Sequence, residues 1–97
     1  MSTVTAAELA RVNAELGRDA AGLTAWALGL GQRSIVTTNF RPFEAVILHL
    51  VTRVQPDVPV VWMDNGYNTE ATYRFADEVT KQLGLNLKIY LPLRSRA

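Results

Sequence analysis

The 97-residue chain contains no cysteine. Disulfides, thiolate metal ligands and cysteine nucleophiles are therefore excluded from the chemistry of these residues. An excess of charge of one sign is also missing, because ten basic and nine acidic residues give a net charge of +1. The sequence thus lacks the electrostatic signature of a protein that binds nucleic acid or an anionic membrane surface.

Long hydrophobic runs are absent as well. The most apolar stretches, at 23–30 and 43–50, contain polar residues or glycine and are shorter than the roughly 20 residues that span a bilayer. Residues 1–5 lack the basic and apolar regions of a secretory signal. We therefore expect no membrane helix and a cytoplasmic location. At 48% hydrophobic and 20% charged, the chain has enough apolar surface for one small folded domain.

Two helices are predicted before any strand. Thr5 and Glu8 have the spacing of a capping box, in which a hydroxyl and a carboxylate satisfy the first N–H groups of a helix. Asp19 can cap a second helix. That helix is expected to end at the Gly29 and Gly31 breaks.

From residue 34 onward, short β-rich runs alternate with amphipathic helices, which predicts parallel β-α-β units. Strands are predicted at 34–38, 58–63 and 86–91, with one helix after Pro42 and another at 69–83. The second strand is almost continuously apolar, as in a central strand with helices on both faces. The expected fold class is α/β, with three layers, a parallel sheet of about three strands with flanking helices, and two N-terminal helices before it.

The helix after Pro42 has apolar residues at the spacing of one helical face. They are Phe43, Val46, Ile47, Leu50, Val51 and Val54. We expect this stripe to be the buried face of the helix.

The loop after the first strand is a candidate anion site, formed by Thr37, Thr38, Asn39, Phe40 and Arg41. Neighbouring parallel strands end at the same edge of a sheet, where α/β proteins bind ligands. Side-chain donors, a guanidinium and the free N–H groups of the next helix suit a phosphate. However, the loop has no glycine, and Glu44 places a competing negative charge in the first turn. Alternatively, Thr38 and Asn39 only cap the helix, and Arg41 pairs with Glu44.

The loop after the second strand supplies the other candidate residues, Asp64, Asn65, Gly66 and Tyr67. Asp64 can accept hydrogen bonds from a ribose or an adenine, or hold a magnesium ion. The alternative for Asp64 is an Asx-turn within the loop. Tyr67 can stack on a base, or it can be a half-buried packing residue. Together the two loops predict a nucleotide site.

Four blocks of the sequence resemble the phosphoadenosine phosphosulfate (PAPS) reductase family. They are Thr37-Thr38-Asn39-Phe40, Asp64-Asn65-Gly66-Tyr67, Thr72-Tyr73-Arg74-Phe75 and Leu85-Asn86-Leu87-Lys88-Ile89-Tyr90. The resemblance covers residues 20–90 and only the N-terminal portion of a family member. It implies an adenine nucleotide alpha-hydrolase-like fold, whose loop after strand one binds the phosphate or sulfate end of PAPS or a related adenine nucleotide. Residues 1–33 are then a helical lead-in and residues 34–97 a partial nucleotide-binding domain, in one compact unit.

The resemblance also implies a reaction, the reduction of phosphoadenylyl sulfate to sulfite and adenosine 3′,5′-bisphosphate in sulfate assimilation. The family uses a C-terminal cysteine and takes its reductant from thioredoxin or glutaredoxin. This chain has no cysteine, so we expect it not to complete the reaction alone and to hold no catalytic residue, metal or cofactor. Arg41 replaces a family glycine and Ala71 a family glutamate, which weakens the prediction of phosphosulfate specificity.

Two other functions remain open at this point. One is an adenylyltransferase-like domain that cleaves ATP between its α- and β-phosphates, with Asp64 near magnesium. The other is a non-catalytic module that binds adenine nucleotides. The ending at residues 94–97 resembles a cut rather than a natural terminus, and a three-stranded sheet has two free edges. Either a second copy of the chain or a C-terminal segment of a longer protein is expected to cover them.

Overall fold

The computed structural model describes residues 4–30 and 33–93. The elements, in chain order, are α1 (Ala6–Leu16), α2 (Ala20–Leu28), β1 (Val36–Thr37), α3 (Glu44–Val54), β2 (Pro59–Met63), α4 (Glu70–Leu83) and β3 (Asn86–Tyr90). The α/β prediction with two leading helices is confirmed. Helix α2 ends at the predicted Gly29 break, whereas Gly31 and the ending at 94–97 lie outside the described residues. Within the described ranges, no helix combines the length and apolar character that a bilayer crossing requires.

Polar side chains mark three helix starts, the first two as the sequence predicts. The Thr5 hydroxyl accepts from the Glu8 N–H at 3.1 Å, and the Asp19 carboxylate accepts from the Gly22 N–H at 2.9 Å. The Thr69 hydroxyl caps α4 in the same way. At the other end of α4, Gly84 takes a left-handed conformation with φ of 64°, which costs little without a Cβ.

The three strands form one parallel sheet in the order β1-β2-β3. Val36 lies opposite Val60, and Val60 lies opposite Leu87. The predicted central position of β2 is therefore confirmed. Because all three strands run the same way, their carboxyl ends, and the loops that follow β1 and β2, lie at one edge.

The core lies on one face of this sheet. Val60 and Trp62 of β2 pack in one buried cluster with Leu48 of α3 and with two residues of α4, Ala76 and Val79. The two crossovers advance in the same direction across the sheet, and right-handed crossovers then place both helices on the same side. On the other face, the described residues Ile35, Met63 and Tyr90 are exposed. Helix cover on both faces of β2 was expected, but within residues 4–30 and 33–93 β2 buries one face only.

The predicted buried stripe of α3 is wrong in most of its members. Phe43, Val46 and Ile47 are 89%, 61% and 56% exposed. Helix α3 instead buries Leu48, Val51 and Thr52, and α2 packs beside it. The helix is apolar around much of its circumference, so its spacing alone could not identify the face that meets the sheet.

Candidate functional site

A cleft of about 360 Å³ lies at the carboxyl ends of β1 and β2. Its lining residues come from both loops, the end of β2 and the start of α4: Asn39, Phe40, Arg41, Pro42, Trp62, Met63, Asn65, Asn68 and Thr72. The two loops singled out from the sequence are therefore neighbours in space. Of the nine predicted site residues, this cleft brings together Asn39, Phe40, Arg41 and Asn65.

Phe40 anchors the first loop. Its side chain is 2% exposed, and its ring packs on Trp62. Its backbone has φ of +54°, in the left-handed region that non-glycine residues seldom adopt. A left-handed residue between right-handed or extended neighbours can turn successive backbone N–H groups toward one point.

The carboxylate of Glu44 occupies that point. Its Oε1 accepts from the Asn39 N–H at 3.1 Å, and its Oε2 accepts from the Arg41 N–H at 2.8 Å. The Thr38 hydroxyl donates to Oε1 over a longer 3.5 Å. Arg41 thus meets Glu44 through its backbone N–H, and the predicted guanidinium pair is not among the ion pairs of the described residues.

The two threonines of the first loop occupy different environments. Thr38 is 5% exposed, and its hydroxyl accepts from the Phe40 N–H at 3.0 Å. Thr37 is exposed and pairs with Val61 in the sheet. Neither lines the cleft, so their predicted contact with a ligand stays a prediction.

Asp64 is the hydrogen-bonding centre of the second loop. It is 8% exposed. Its Oδ1 accepts from the Gly66 N–H at 2.9 Å, the Asn68 side chain at 3.1 Å and the Tyr73 hydroxyl at 2.8 Å. The first of these bonds forms the Asx-turn that the sequence left open. This oxygen is therefore already engaged by donors of the protein itself.

These contacts shift two pKa values. Burial raises the pKa of Asp64, but the hydrogen bonds from Gly66, Tyr73 and Asn68 together outweigh burial and hold that pKa below its ordinary value. The hydrogen bond to the Asp64 carboxylate, with burial and the negative charge adding to it, raises the pKa of Tyr73. Asp64 is thus stabilised as a carboxylate and Tyr73 as a neutral phenol.

Asn65 holds the rest of the second loop in place. Its side-chain oxygen accepts from the Tyr67 N–H at 2.8 Å, and Gly66 between them has φ of 84°. Asn65 also lines a smaller hollow of about 240 Å³ with Asp64, beside Tyr90 at the end of β3. Gly66 and Tyr67 line neither cavity, and Tyr67 is largely exposed.

Five residues of the cleft were not predicted from the sequence: Pro42, Trp62, Met63, Asn68 and Thr72. Trp62 is only 4% exposed, and it also lines the cleft. Asn68 and Thr72 lie around the first turn of α4. Because both neighbouring strands end at this edge, the start of the following helix was the signal that could have found them.

A solved structure has the same fold. A PAPS reductase from Candida auris, determined as a phosphate complex, superposes with a TM-score of 0.77 over 98% of this chain and 48% of that chain. The two sequences are 20% identical, so the likeness concerns the fold alone. That shared fold is of the α/β class, built on one parallel sheet.

Sequence relatives identify the family within this class. The phosphoadenosine phosphosulfate reductase domain matches residues 33–97. The phosphoadenosine 5′-phosphosulfate reductase of Synechococcus sp. is 48% identical over 84% of this chain, and that of Xanthomonas euvesicatoria is 47% identical over 93%. The chain belongs to the PAPS reductase family. It spans 36% and 38% of the lengths of these two relatives.

Proposed function

We propose that this chain is the nucleotide-binding N-terminal part of a PAPS reductase-like enzyme of sulfate assimilation. Its cleft would bind the phosphate- or sulfate-bearing end of an adenine nucleotide such as PAPS. The observation that carries this proposal is the meeting of Asn39, Phe40 and Arg41 with Asn65 in one cleft at the carboxyl edge of the sheet. The relatives are named as PAPS reductases, and the solved neighbour is a phosphate complex.

The chemistry of the cleft suits an anion with an attached base. The guanidinium of Arg41 is in no ion pair with any other described residue, and it can bind a phosphate through two parallel hydrogen bonds. Asn39, Asn65 and Asn68 add uncharged side-chain amides. Trp62 and Met63 contribute apolar surface against which a base or ribose can pack.

The redox step needs a group that these residues do not include. In the proposed reaction, a cysteine attacks the sulfur of phosphoadenylyl sulfate and releases adenosine 3′,5′-bisphosphate, and thioredoxin or glutaredoxin then releases sulfite. The chain has no cysteine. We therefore assign binding and orientation of the nucleotide to these 97 residues, and the nucleophile to a residue outside them. A cytoplasmic location and pairing with a second copy of the chain both stay predictions.

Magnesium-dependent cleavage of ATP would require an oxygen of Asp64 as a metal ligand, and one of its two oxygens is already engaged. Its Oδ1 already accepts three hydrogen bonds within the protein. A magnesium ion at that oxygen would have to displace at least one of these donors, because Mg²⁺ requires a close and nearly octahedral set of oxygens.

Isothermal titration with adenosine 3′,5′-bisphosphate tests the proposed function. Arg41→Ala should weaken binding about tenfold or more, because a charge-assisted hydrogen bond contributes about 1.5–3 kcal/mol. Arg53→Ala is the matched control, since Arg53 is an exposed arginine in the last turn of α3 and its loss changes the net charge equally. Its affinity should equal that of the wild type.

Three results would contradict the proposal. One is the absence of heat at millimolar nucleotide. A second is equal weakening by both arginine substitutions, which would show only long-range charge. The third is a preference for ATP that appears only with magnesium, which would favour the adenylyltransferase-like function.

A further inference from the structure

Glu44 lies where a bound anion would be expected. Its two carboxylate oxygens accept from the backbone N–H groups of Asn39 and Arg41, at 3.1 and 2.8 Å. Those N–H groups flank Phe40, the residue with the left-handed backbone. A phosphate oxygen and a carboxylate oxygen use the same donors in the same geometry. In this structure, the donors of the first loop are thus occupied by a negative charge of the protein itself.

The competition would be direct, because each of these N–H groups has a single proton to donate. An incoming phosphate must either displace the Glu44 carboxylate or bind beside it and suffer repulsion between like charges. Displacement of the carboxylate and repulsion from it both make the free energy of binding less favourable. The cost applies to anionic groups only, because an uncharged part of the ligand neither needs these donors nor repels the carboxylate.

A purely structural role is the competing explanation. Glu44 follows Arg41 by three residues and accepts from its N–H, which resembles the reciprocal bond of a capping box. If capping is its only role, Glu44 holds the loop in the binding conformation, and its loss lowers the affinity for every ligand. The two explanations therefore predict affinity changes of opposite sign.

We propose that Glu44, which lies behind the cleft-lining residues Asn39 and Arg41, determines specificity. It is an internal anion that a phosphate- or sulfate-bearing ligand must displace from the N–H groups of these two residues. The proposal rests on the proposed nucleotide-binding function. It assigns to Glu44 the control of affinity for the charged end of the nucleotide. Binding of the uncharged nucleoside is left unaffected.

The test compares two ligands on four proteins. Adenosine 3′,5′-bisphosphate and adenosine are titrated into the wild type, Glu44→Gln, Glu44→Ala and Glu8→Gln. Glu8→Gln is the matched control, because Glu8 lies in the first turn of α1 and its substitution changes the charge equally in another helix. Thermal unfolding of each variant reports whether the fold is retained, and Glu44→Gln keeps the shape of the side chain if Glu44→Ala unfolds.

We expect Glu44→Gln to bind adenosine 3′,5′-bisphosphate about tenfold more tightly than the wild type, since neutral hydrogen bonds have roughly half the strength of charged ones. Its affinity for adenosine should be unchanged, and Glu8→Gln should match the wild type for both ligands.

Other outcomes overturn it. If the wild type binds the bisphosphate and Glu44→Gln binds it equally or less tightly, Glu44 is a structural cap and the nucleotide-binding function stands. If Glu44→Gln raises the affinity for adenosine as much as the affinity for the bisphosphate, Glu44 acts through shape and not as an anion. If none of the four proteins binds either ligand, the nucleotide-binding function fails, and the role of Glu44 fails with it.

Discussion

The ring of Phe40 packs edge-on against the indole of Trp62, with ring centroids 5.0 Å apart and an angle of 78° between the planes. This arrangement is favourable for aromatic pairs. It fixes the first loop to the central strand β2, because Phe40 belongs to the loop and Trp62 to the strand. The contact therefore positions the Asn39 and Arg41 N–H groups on either side of Phe40 relative to the sheet.

Loss of this contact should reduce stability strongly. Phe40→Ala is expected to lower the free energy of unfolding by about 3–5 kcal/mol, the usual cost of removing a buried phenylalanine side chain. Urea unfolding followed by circular dichroism measures it. Phe43→Ala is the control, since Phe43 is 89% exposed and its loss should change stability by less than about 0.5 kcal/mol. Similar losses for both would show that Phe40 is not the anchor of the loop.

Two adjacent threonines offer a second test of the first loop. Thr38→Val keeps the side-chain shape but removes the acceptor of the buried Phe40 N–H, which should cost about 1–3 kcal/mol of stability. Thr37→Val removes an exposed hydroxyl and should stay within about 0.5 kcal/mol of the wild type. Urea unfolding midpoints compare the two. Equal effects would mean that the Thr38 hydroxyl does not support the loop.

Acid should weaken the link between Asp64 and Tyr73. The pKa of Asp64 lies below its ordinary value in the folded chain, so the native state binds fewer protons than the unfolded state over this range. The ionised Asp64 carboxylate therefore adds to the free energy of unfolding at any pH above the unfolded pKa of about 3.9. This contribution is lost as the pH falls through the lower pKa of the folded chain. Tyr73→Phe should therefore be less stable than the wild type at pH 7, and the difference should shrink toward pH 3.

The control for this pH series is Tyr90→Phe, which removes the hydroxyl of an exposed tyrosine. Its urea midpoint should follow that of the wild type at every pH. The stability difference between Tyr73→Phe and the wild type could instead stay constant from pH 7 to pH 3. That result would show that the Tyr73 hydroxyl does not act on the ionised Asp64.

The end of α4 depends on a glycine in the left-handed region. Gly84→Ala should lower the free energy of unfolding by about 1–2 kcal/mol, because φ of +64° places a Cβ near the carbonyl oxygen that follows it. Gly29→Ala is the matched substitution after α2. Gly29 has an ordinary φ of −81°, so alanine there should be neutral or add up to about 1 kcal/mol. Thermal unfolding separates the two, and a neutral Gly84→Ala would contradict the requirement for glycine.

Much of the fold was predictable from short-range signals. The Thr5 and Asp19 caps act within a few residues, so the sequence displays them directly. The alternation of strands and helices and the central position of β2 follow from hydrophobic pattern and crossover rules. Strand β1 is shorter than predicted, two residues against five, because pairing with β2 decides where a strand ends.

The candidate site was predictable at the level of loops and not of contacts. The sequence indicated that the loops at 37–41 and 64–67 would meet, and the cleft joins Asn39, Phe40 and Arg41 of the first loop to Asn65 of the second. It did not reveal that Thr38 turns inward, or that Asn68 and Tyr73 both donate to Asp64. Side-chain direction depends on packing partners distant in the chain, which local spacing does not encode.

By itself, the sequence determined the class of fold, the family, the absence of cysteine chemistry and the location of both loops, because these depend on residue types and their order. Only the tertiary structure decided which face of α3 is buried and that Glu44 accepts from the N–H groups of Asn39 and Arg41. The physical reason is that both outcomes depend on how the chain closes in space. The apolar circumference of α3 allowed several faces, and the left-handed backbone of Phe40 brought the two N–H groups to one carboxylate.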